Sequence, residues 1–286
     1  MTPNFLTFDI EEWHNANFSS LDLRLYKDSP SNLESNIDKI IDICAEYSVK
    51  STCFVLGKLA QNKPQIIKKL YNAGHEIASH SYNHKLIYNM TAEEFDEDTK
   101  RTCQILESLT GEKIVGFRAP SWSVSETNLE WFYDVLYSNG IEYSSSVYPA
   151  KTYMYGLPDF PSHIHYPIIN GKTKKVLEIP QSLISMFGKN VGFSGGFFLR
   201  VFPSWFINRT ITQMNKQGNS VFVYLHPHEI DVNIPKVNLS KKESLIFYWN
   251  IRNTEKKIRK IINKQQNSFV DIKSFAAGPD LSLLVR

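Results

Sequence analysis

The sequence predicts an α/β protein with one domain over 1–286, built as a single distorted barrel of about seven parallel strands with helices outside. Two observations carry this. Strand-like and helix-like patterns alternate along the chain with no internal repeat, low-complexity tract or linker between them. Reactive side chains also recur just past the ends of the apolar strand patterns, which is where parallel folds place function. With 286 residues, 42% of them hydrophobic, the chain can bury a full core.

The run NFLTFDI (residues 4–10) is apolar and aromatic and passes straight into acids, as a buried parallel strand ending at a site does. Leu33 to Tyr47 repeats apolar residues at helical spacing (Ile37, Ile40, Ile41, Cys44, Tyr47) and is entered through Ser29, Pro30 and Ser31. A second strand is expected over Lys50 to Leu56, a helix over Lys63 to Ala73 that Gly74 stops, and a third strand over His75 to Ser79. Thr91 and Glu94 have the spacing of a capping box at the head of a helix reaching Leu109. Strands follow at 114–117, 142–146, 176–179, 221–225 and 269–272, with helices at 127–138, 204–216 and 244–264. The proline-rich segment from Pro149 to Lys175 fits neither pattern and predicts a long loop over the barrel mouth, with GFSGGFF (192–198) as a second rim loop.

A formal charge of +3 is too small to make nucleic acid a general partner. The charge is uneven, however. Between Lys241 and Lys264 stand eight Lys or Arg against Glu243 and Glu255. This basic C-terminal helix reads either as a solvated face or as peripheral contact with an anionic lipid surface or a pyrophosphate-linked substrate. Cys44, Cys53 and Cys103, an odd number without CxxC spacing, predict reduced, buried thiols. The start MTPNFLTFDI lacks a basic and then apolar leader pattern, and no apolar run is long enough to span a bilayer. The expected location is the cytoplasm, with peripheral contact at the inner membrane face.

The chemistry concentrates in GHEIASHSYNH (74–84). His80 and His84 stand four apart, close enough for two imidazoles to address one metal ion. A carboxylate must come from elsewhere, and the chain begins with an acidic cluster, Asp9, Glu11 and Glu12. Strand ends deliver Asp9, Glu11, His80, His84, Arg118 and His226 to one rim. Two neutral imidazoles and one carboxylate leave a coordination position open for water, the catalytic pattern for one divalent ion, zinc first, with cobalt or nickel as alternatives. His75 reads as a structural histidine at a strand start, and His228 as lying beyond the site.

In this order and at these intervals, TFDIEEW, HSYNH, FRAPSW and YLHP resemble the motifs of NodB-type polysaccharide deacetylases, carbohydrate esterase family four, over about residues 3–230. The resemblance implies the distorted (β/α) barrel and assigns roles. Asp9 matches the catalytic base. Ile10 stands where the metal-binding acid ordinarily follows, and the D-x-E run resembles an intracellular-type branch whose acid two residues on binds the metal. That assigns Glu11, with Glu12 in reserve. His80 and His84 match the metal histidines, Arg118 the arginine that keeps the base ionised, and His226 the general acid.

Two departures stand out. Ser121 and Trp122 occupy the place where a tyrosine commonly follows the third motif's proline, and EYSSSVYP (142–149) offers no aspartate to orient His226. Glu178 or Glu229 is the substitute, with Glu178 otherwise a substrate contact. The Ser121 N–H is the candidate oxyanion donor, and Trp122, Tyr148, Phe193 and Phe197 are candidate sugar-stacking rings.

Together these features predict a metal-dependent hydrolase that removes an N-acetyl group from an amino sugar in a cytoplasmic, nucleotide- or lipid-linked precursor of a surface polysaccharide. The alternatives are an amidohydrolase on a ureide or formamide, and a carbohydrate-binding protein on an inactive scaffold.

Overall fold

The computed structural model describes residues 2–26, 29, 31–152 and 156–278; Pro30, expected at the entry to the first helix, lies outside them. Strand β1 (Phe5–Ile10) is buried along its whole length. Parallel strands are covered on both faces, which is why this run is apolar throughout. Its side chains alternate: Leu6, Phe8 and Ile10 join the layer under the helices, while Phe5, Thr7 and Asp9 face the barrel interior. Burying each large apolar side chain of this kind contributes about 1.5–3 kcal/mol.

Strands β2 (Thr52–Val55), β3 (Glu76–Ser79), β4 (Gly116–Phe117) and β5 (Tyr143–Ser144) follow in the chain. A hairpin of β6 (Ile168–Ile169) and β7 (Lys172–Thr173) precedes β8 (Leu177–Glu178), and a second of β9 (Leu183–Met186) and β10 (Lys189–Gly192) precedes β11 (Phe222–Leu225). Seven strands form one parallel sheet in the order β11-β1-β2-β3-β4-β5-β8. The expected barrel of about seven parallel strands is therefore present, open between β8 and β11.

The expected capping box is formed: Thr91 Oγ1 accepts from Glu94 N at 3.2 Å, and Glu94 Oε2 accepts from Thr91 N at 3.0 Å. All three cysteines are free and buried.

Three expectations are corrected. Residues 269–272 do not make a strand: Phe269 forms a single bridge to Asn4, and a helix starts at Ile272. The basic C-terminal helix is two helices, Lys241–Tyr248 and Ile251–Gln265, broken where Asn250 takes a left-handed conformation at φ 55°. The described residues of the 149–175 segment do not line the pocket at the barrel mouth; 153–155 lie outside the described residues. Cover over the mouth comes instead from residues 16–18, the helix Gly196–Val201 and the helix Lys241–Tyr248.

Candidate active site and metal centre

Four parallel strands each hand over one polar residue at the position directly after they end. Glu11 follows β1, His80 follows β3, Arg118 follows β4 and His226 follows β11. Because the strands run the same way, all four residues reach one rim. The D-x-E spacing has a plain cause. Side chains alternate along a strand, so Thr7, Asp9 and Glu11 point inward together while Ile10 packs outward.

Glu11, His80 and His84 converge: one ligand atom from each lies within 4.8 Å of the others, and all three residues are buried. His84 reaches the group through a left-handed backbone, φ 57°. Glu11 Oε2 and His84 Nε2 are 3.0 Å apart but not aligned as a hydrogen bond, which leaves a buried carboxylate oxygen unsatisfied. Such an oxygen is costly unless something else binds it.

The tautomers fit a metal as well. His80 Nδ1 donates to the Arg118 carbonyl at 2.9 Å, which leaves its Nε2 lone pair facing the group. His84 Nδ1 lies 3.2 Å from the Asn17 amide, and turning that amide over presents Oδ1 as the acceptor a ligating His84 requires. Burial pushes His80 down to about 4, so it stays neutral. Burial also pushes the Glu11 carboxyl up, but His84, with His226 and His80, outweighs it and holds the group at about 2. The residues fit a divalent ion held by two imidazoles and one carboxylate. Glu12 is engaged elsewhere, accepting from Lys63 Nζ at 2.7 Å and from Ser31.

Asp9 pairs with Arg118, whose two terminal nitrogens also donate to Thr7 Oγ1 at 3.2 Å. The guanidinium lies between the rings of Phe54 and Phe222, at 3.8 and 4.3 Å from their centroids. This fixes the carboxylate inside an aromatic sleeve. Across the pocket, His226 Nε2 is 3.8 Å from Asp9 Oδ2 and 3.6 Å from Glu11 Oε1.

Glu229 orients His226. Its Oε2 accepts from both the backbone N–H and Nδ1 of His226, each at 3.0 Å, and its Oε1 accepts from Arg200 Nε at 2.8 Å. Burial alone pushes His226 down, but the bond to Glu229 and the charges of Glu11, Glu229 and Asp9 raise it to about 9. Burial likewise opposes the charge on Glu229, yet Arg200 and His226 hold its carboxyl well below the usual range.

The pocket around these groups measures about 190 Å³ and is walled by Phe18, Trp122, Phe197 and Phe247. Ser121 lines it in a left-handed conformation, its Oγ 3.0 Å from the Asn17 amide. The double glycine of the rim makes room for Tyr224: a Cβ on Gly195 would stand 1.9 Å from that ring. A larger cavity, about 820 Å³, lies at the opposite end of β1 and β11 beside Phe5 and Phe222.

Three expected substrate contacts are not at this pocket. Glu178 is fully buried: it accepts from the N–H groups of Ser146 and Val147 at 2.8 and 2.9 Å and braces the run where an aspartate was sought. Phe193 belongs to the core, and Tyr148 is buried with its hydroxyl accepting from Gly192 N. His228, read as lying beyond the site, instead lines the pocket and stacks on His226 with ring centroids 5.2 Å apart. His75 is structural, bonded to Ser51. Sequence reading also missed Arg200, Asn17 and Phe247. Nothing in GGFFLR marks Arg200 as the partner of a glutamate 29 residues on.

A family model described as polysaccharide deacetylase matches residues 5–136. Residues 5–136, just under half of the chain, are of the polysaccharide deacetylase type. A second model, described as a domain of unknown function (DUF3473), matches residues 145–277. That segment supplies β8 and β11 to the same sheet, and His226, Glu229 and Arg200 to the site. The chain is 33% identical over 93 residues to a peptidoglycan-N-acetylglucosamine deacetylase of Bacillus cereus, covering 32% of this chain and 34% of that protein. It is 26% identical over 172 residues to a peptidoglycan deacetylase of Helicobacter pylori, covering 54% and 57%. The chain thus spans from a third to just over half of the lengths of these relatives.

Among solved structures, the fold is similar to a proposed polysaccharide deacetylase of Mycobacterium smegmatis, with a TM-score of 0.66, 17% identity and 100% and 93% of the two chains covered. It is also similar to an allantoinase, with a TM-score of 0.61, 16% identity and coverage of 95% and 88%. A third neighbour is a carbohydrate esterase family 4 pseudoenzyme of Bacillus anthracis, with a TM-score of 0.53, 14% identity and coverage of 96% and 66%. One fold hosts all three, so function has to be argued from the site.

Proposed function

We propose that the protein is a metal-dependent hydrolase that removes the N-acetyl group from an amino sugar. The observation that carries this reading is the convergence of Glu11, His80 and His84 beside an Asp9–Arg118 pair and an oriented His226. A divalent ion held by Glu11, His80 and His84, with zinc suited to this donor set and cobalt or nickel able to replace it, would supply Lewis acidity toward a water and the acyl oxygen.

The chain's own groups do the rest. Asp9, fixed by Arg118, takes the proton of the attacking water. The Ser121 N–H faces the oxyanion; the left-handed Ser121 and Trp122 beside the pocket support this placement. His226, kept cationic by Glu229, gives its proton to the departing nitrogen. Water adds to the amide carbon, the C–N bond breaks, and acetate and the free amine result. Phe18, Trp122, Phe197 and Phe247 offer apolar walls to the acetyl methyl and the sugar face.

We extend the reading to a nucleotide- or lipid-linked precursor of a surface polysaccharide, met in the cytoplasm. Lys241 and Lys242, on the helix that covers the pocket, support an anionic carrier. The test is release of acetate in step with free amine from N-acetylated glucosamine oligomers and from a nucleotide-linked N-acetylamino sugar. Loss on chelation and recovery with zinc, cobalt or nickel are expected. Opening of allantoin without acetate release would assign the site to a ureide, and sugar binding by metal-loaded protein without any release would make it a binding protein.

A further inference from the structure

We infer that the face formed by the helices Ser204–Lys216, Lys241–Tyr248 and Ile251–Gln265 docks on an anionic lipid bilayer and sets the pocket mouth beside it. Two independent features meet there. The first is apolar. Val201, Trp205, Leu245 and Trp249 are 41, 67, 52 and 46% exposed, and they come from two segments far apart in the chain. Arg200 ties those segments together: its guanidinium donates to the carbonyls of Ile246, Phe247 and Trp249, while its own carbonyl accepts from Asn250 and Lys257. Large apolar side chains held open in one neighbourhood mark an interaction surface, and tryptophan is the residue favoured where lipid meets water.

The second feature is charge. The cations of the helix Ile251–Gln265 fall into two sets. Lys257 and Arg259 face the protein, one donating to the carbonyls of Leu199, Arg200 and Phe202, the other pairing with Glu46 and Glu255. Arg252, Lys256, Lys260 and Lys264 repeat every fourth residue, are exposed, and pair with no acid among the described residues. At 1.5 Å per residue this stripe runs for about 18 Å. Arg209 on the neighbouring helix is exposed as well and pairs with no acid among the described residues, and the groove it shares with Trp205, Lys260 and Lys264 has no acid among its described lining.

Exposed apolar side chains beside an uncompensated basic stripe form the amphipathic surface that binds a headgroup layer. No helix among the described residues is long and apolar enough to cross a membrane, so the contact is peripheral. Its placement is useful: Leu245 and Trp249 flank Ile246 and Phe247, which line the pocket. A lipid-borne substrate would then reach the site without leaving the surface.

The test is sedimentation of the full chain with vesicles. Binding is expected to phosphatidylglycerol-containing vesicles and not to pure phosphatidylcholine, with release at high salt and no competition by inorganic phosphate. Replacing Arg252, Lys256, Lys260 and Lys264 together by Gln should weaken binding at least about tenfold, as loss of four near-surface charges requires. Trp205→Ser should weaken it and reduce quenching of tryptophan fluorescence by brominated lipid. Both variants change exposed side chains, and unchanged melting temperatures would show that they fold. Equal binding by both variants and the parent protein would overturn the inference, as would absence of binding to anionic vesicles or displacement by phosphate. A dimer broken by Trp205→Ser, seen by light scattering without vesicle binding, would assign the face to a second copy instead. None of these readouts involves turnover, so their failure would leave the deacetylase reading standing.

Discussion

Arg200 Nε donates to Glu229 Oε1 at 2.8 Å inside the protein, and through Glu229 this buried pair fixes the ring of His226. Arg200 touches neither metal group nor base, yet it holds both the orienter of the acid and the end of the helix covering the pocket. Glu229→Gln keeps the shape and removes the charge. It is expected to lower kcat about 10- to 100-fold, the usual cost of losing such a supporting bond, with little change in KM. Arg200→Met leaves the buried Glu229 Oε1 without its cationic partner, Oε2 still held by His226, and is expected to cost about 3 kcal/mol of stability in denaturant titrations.

The same relay sets a pH dependence in the metal-free protein. His226 is raised to about 9 in the fold, above its ordinary 6.5. A raised pKa means that the stability it contributes is fully present below about 6.5 and is lost as pH rises through about 9. NMR titration of metal-free protein should find the His226 ring still protonated at pH 7.5. In Glu229→Gln it should titrate at lower pH, and the fall in melting temperature across this window should shrink.

Glu11 and Glu12 are neighbours with different tasks. Glu11→Gln removes a charged ligand and should weaken metal binding by at least about 100-fold in calorimetry, more than loss of an outer partner would. Glu12→Gln weakens the partly exposed Lys63 pair while an amide oxygen can still accept from Ser31, and should cost less than about 1 kcal/mol, leaving the metal bound.

Arg118 is enclosed by Phe54 and Phe222 and is fully buried. Arg118→Met would strand the Asp9 carboxylate and should destabilise the protein by about 3–5 kcal/mol. Arg118→Lys keeps a charge but cannot fill the planar sleeve, so turnover should fall while metal affinity holds.

How far these features could be read from sequence depends on their range. The strand ends were legible because β1, β4 and β11 are buried and stop at polar residues, so Glu11, Arg118 and His226 announce themselves locally. His80 and His84 were legible by spacing. The break at Asn250 was not, because apolar residues continue on both sides and only the backbone at Trp249 and Asn250 separates the two helices. Glu178 misled because a strand-end glutamate looks the same whether it meets substrate or braces Ser146 and Val147. His228 and Phe193 exchanged expected roles for a related reason: which face of a short segment turns inward is decided by packing against distant elements, here Phe247 against His228.

The central claim, that Glu11, His80 and His84 hold the metal while Asp9 does the proton work, is tested most directly by Asp9→Asn, with metal content and acetate release measured on the same sample. The account predicts metal bound as in the parent protein and turnover reduced by about 10²–10⁴-fold. Loss of the metal together with activity, or acetate release at the parent rate, would contradict it.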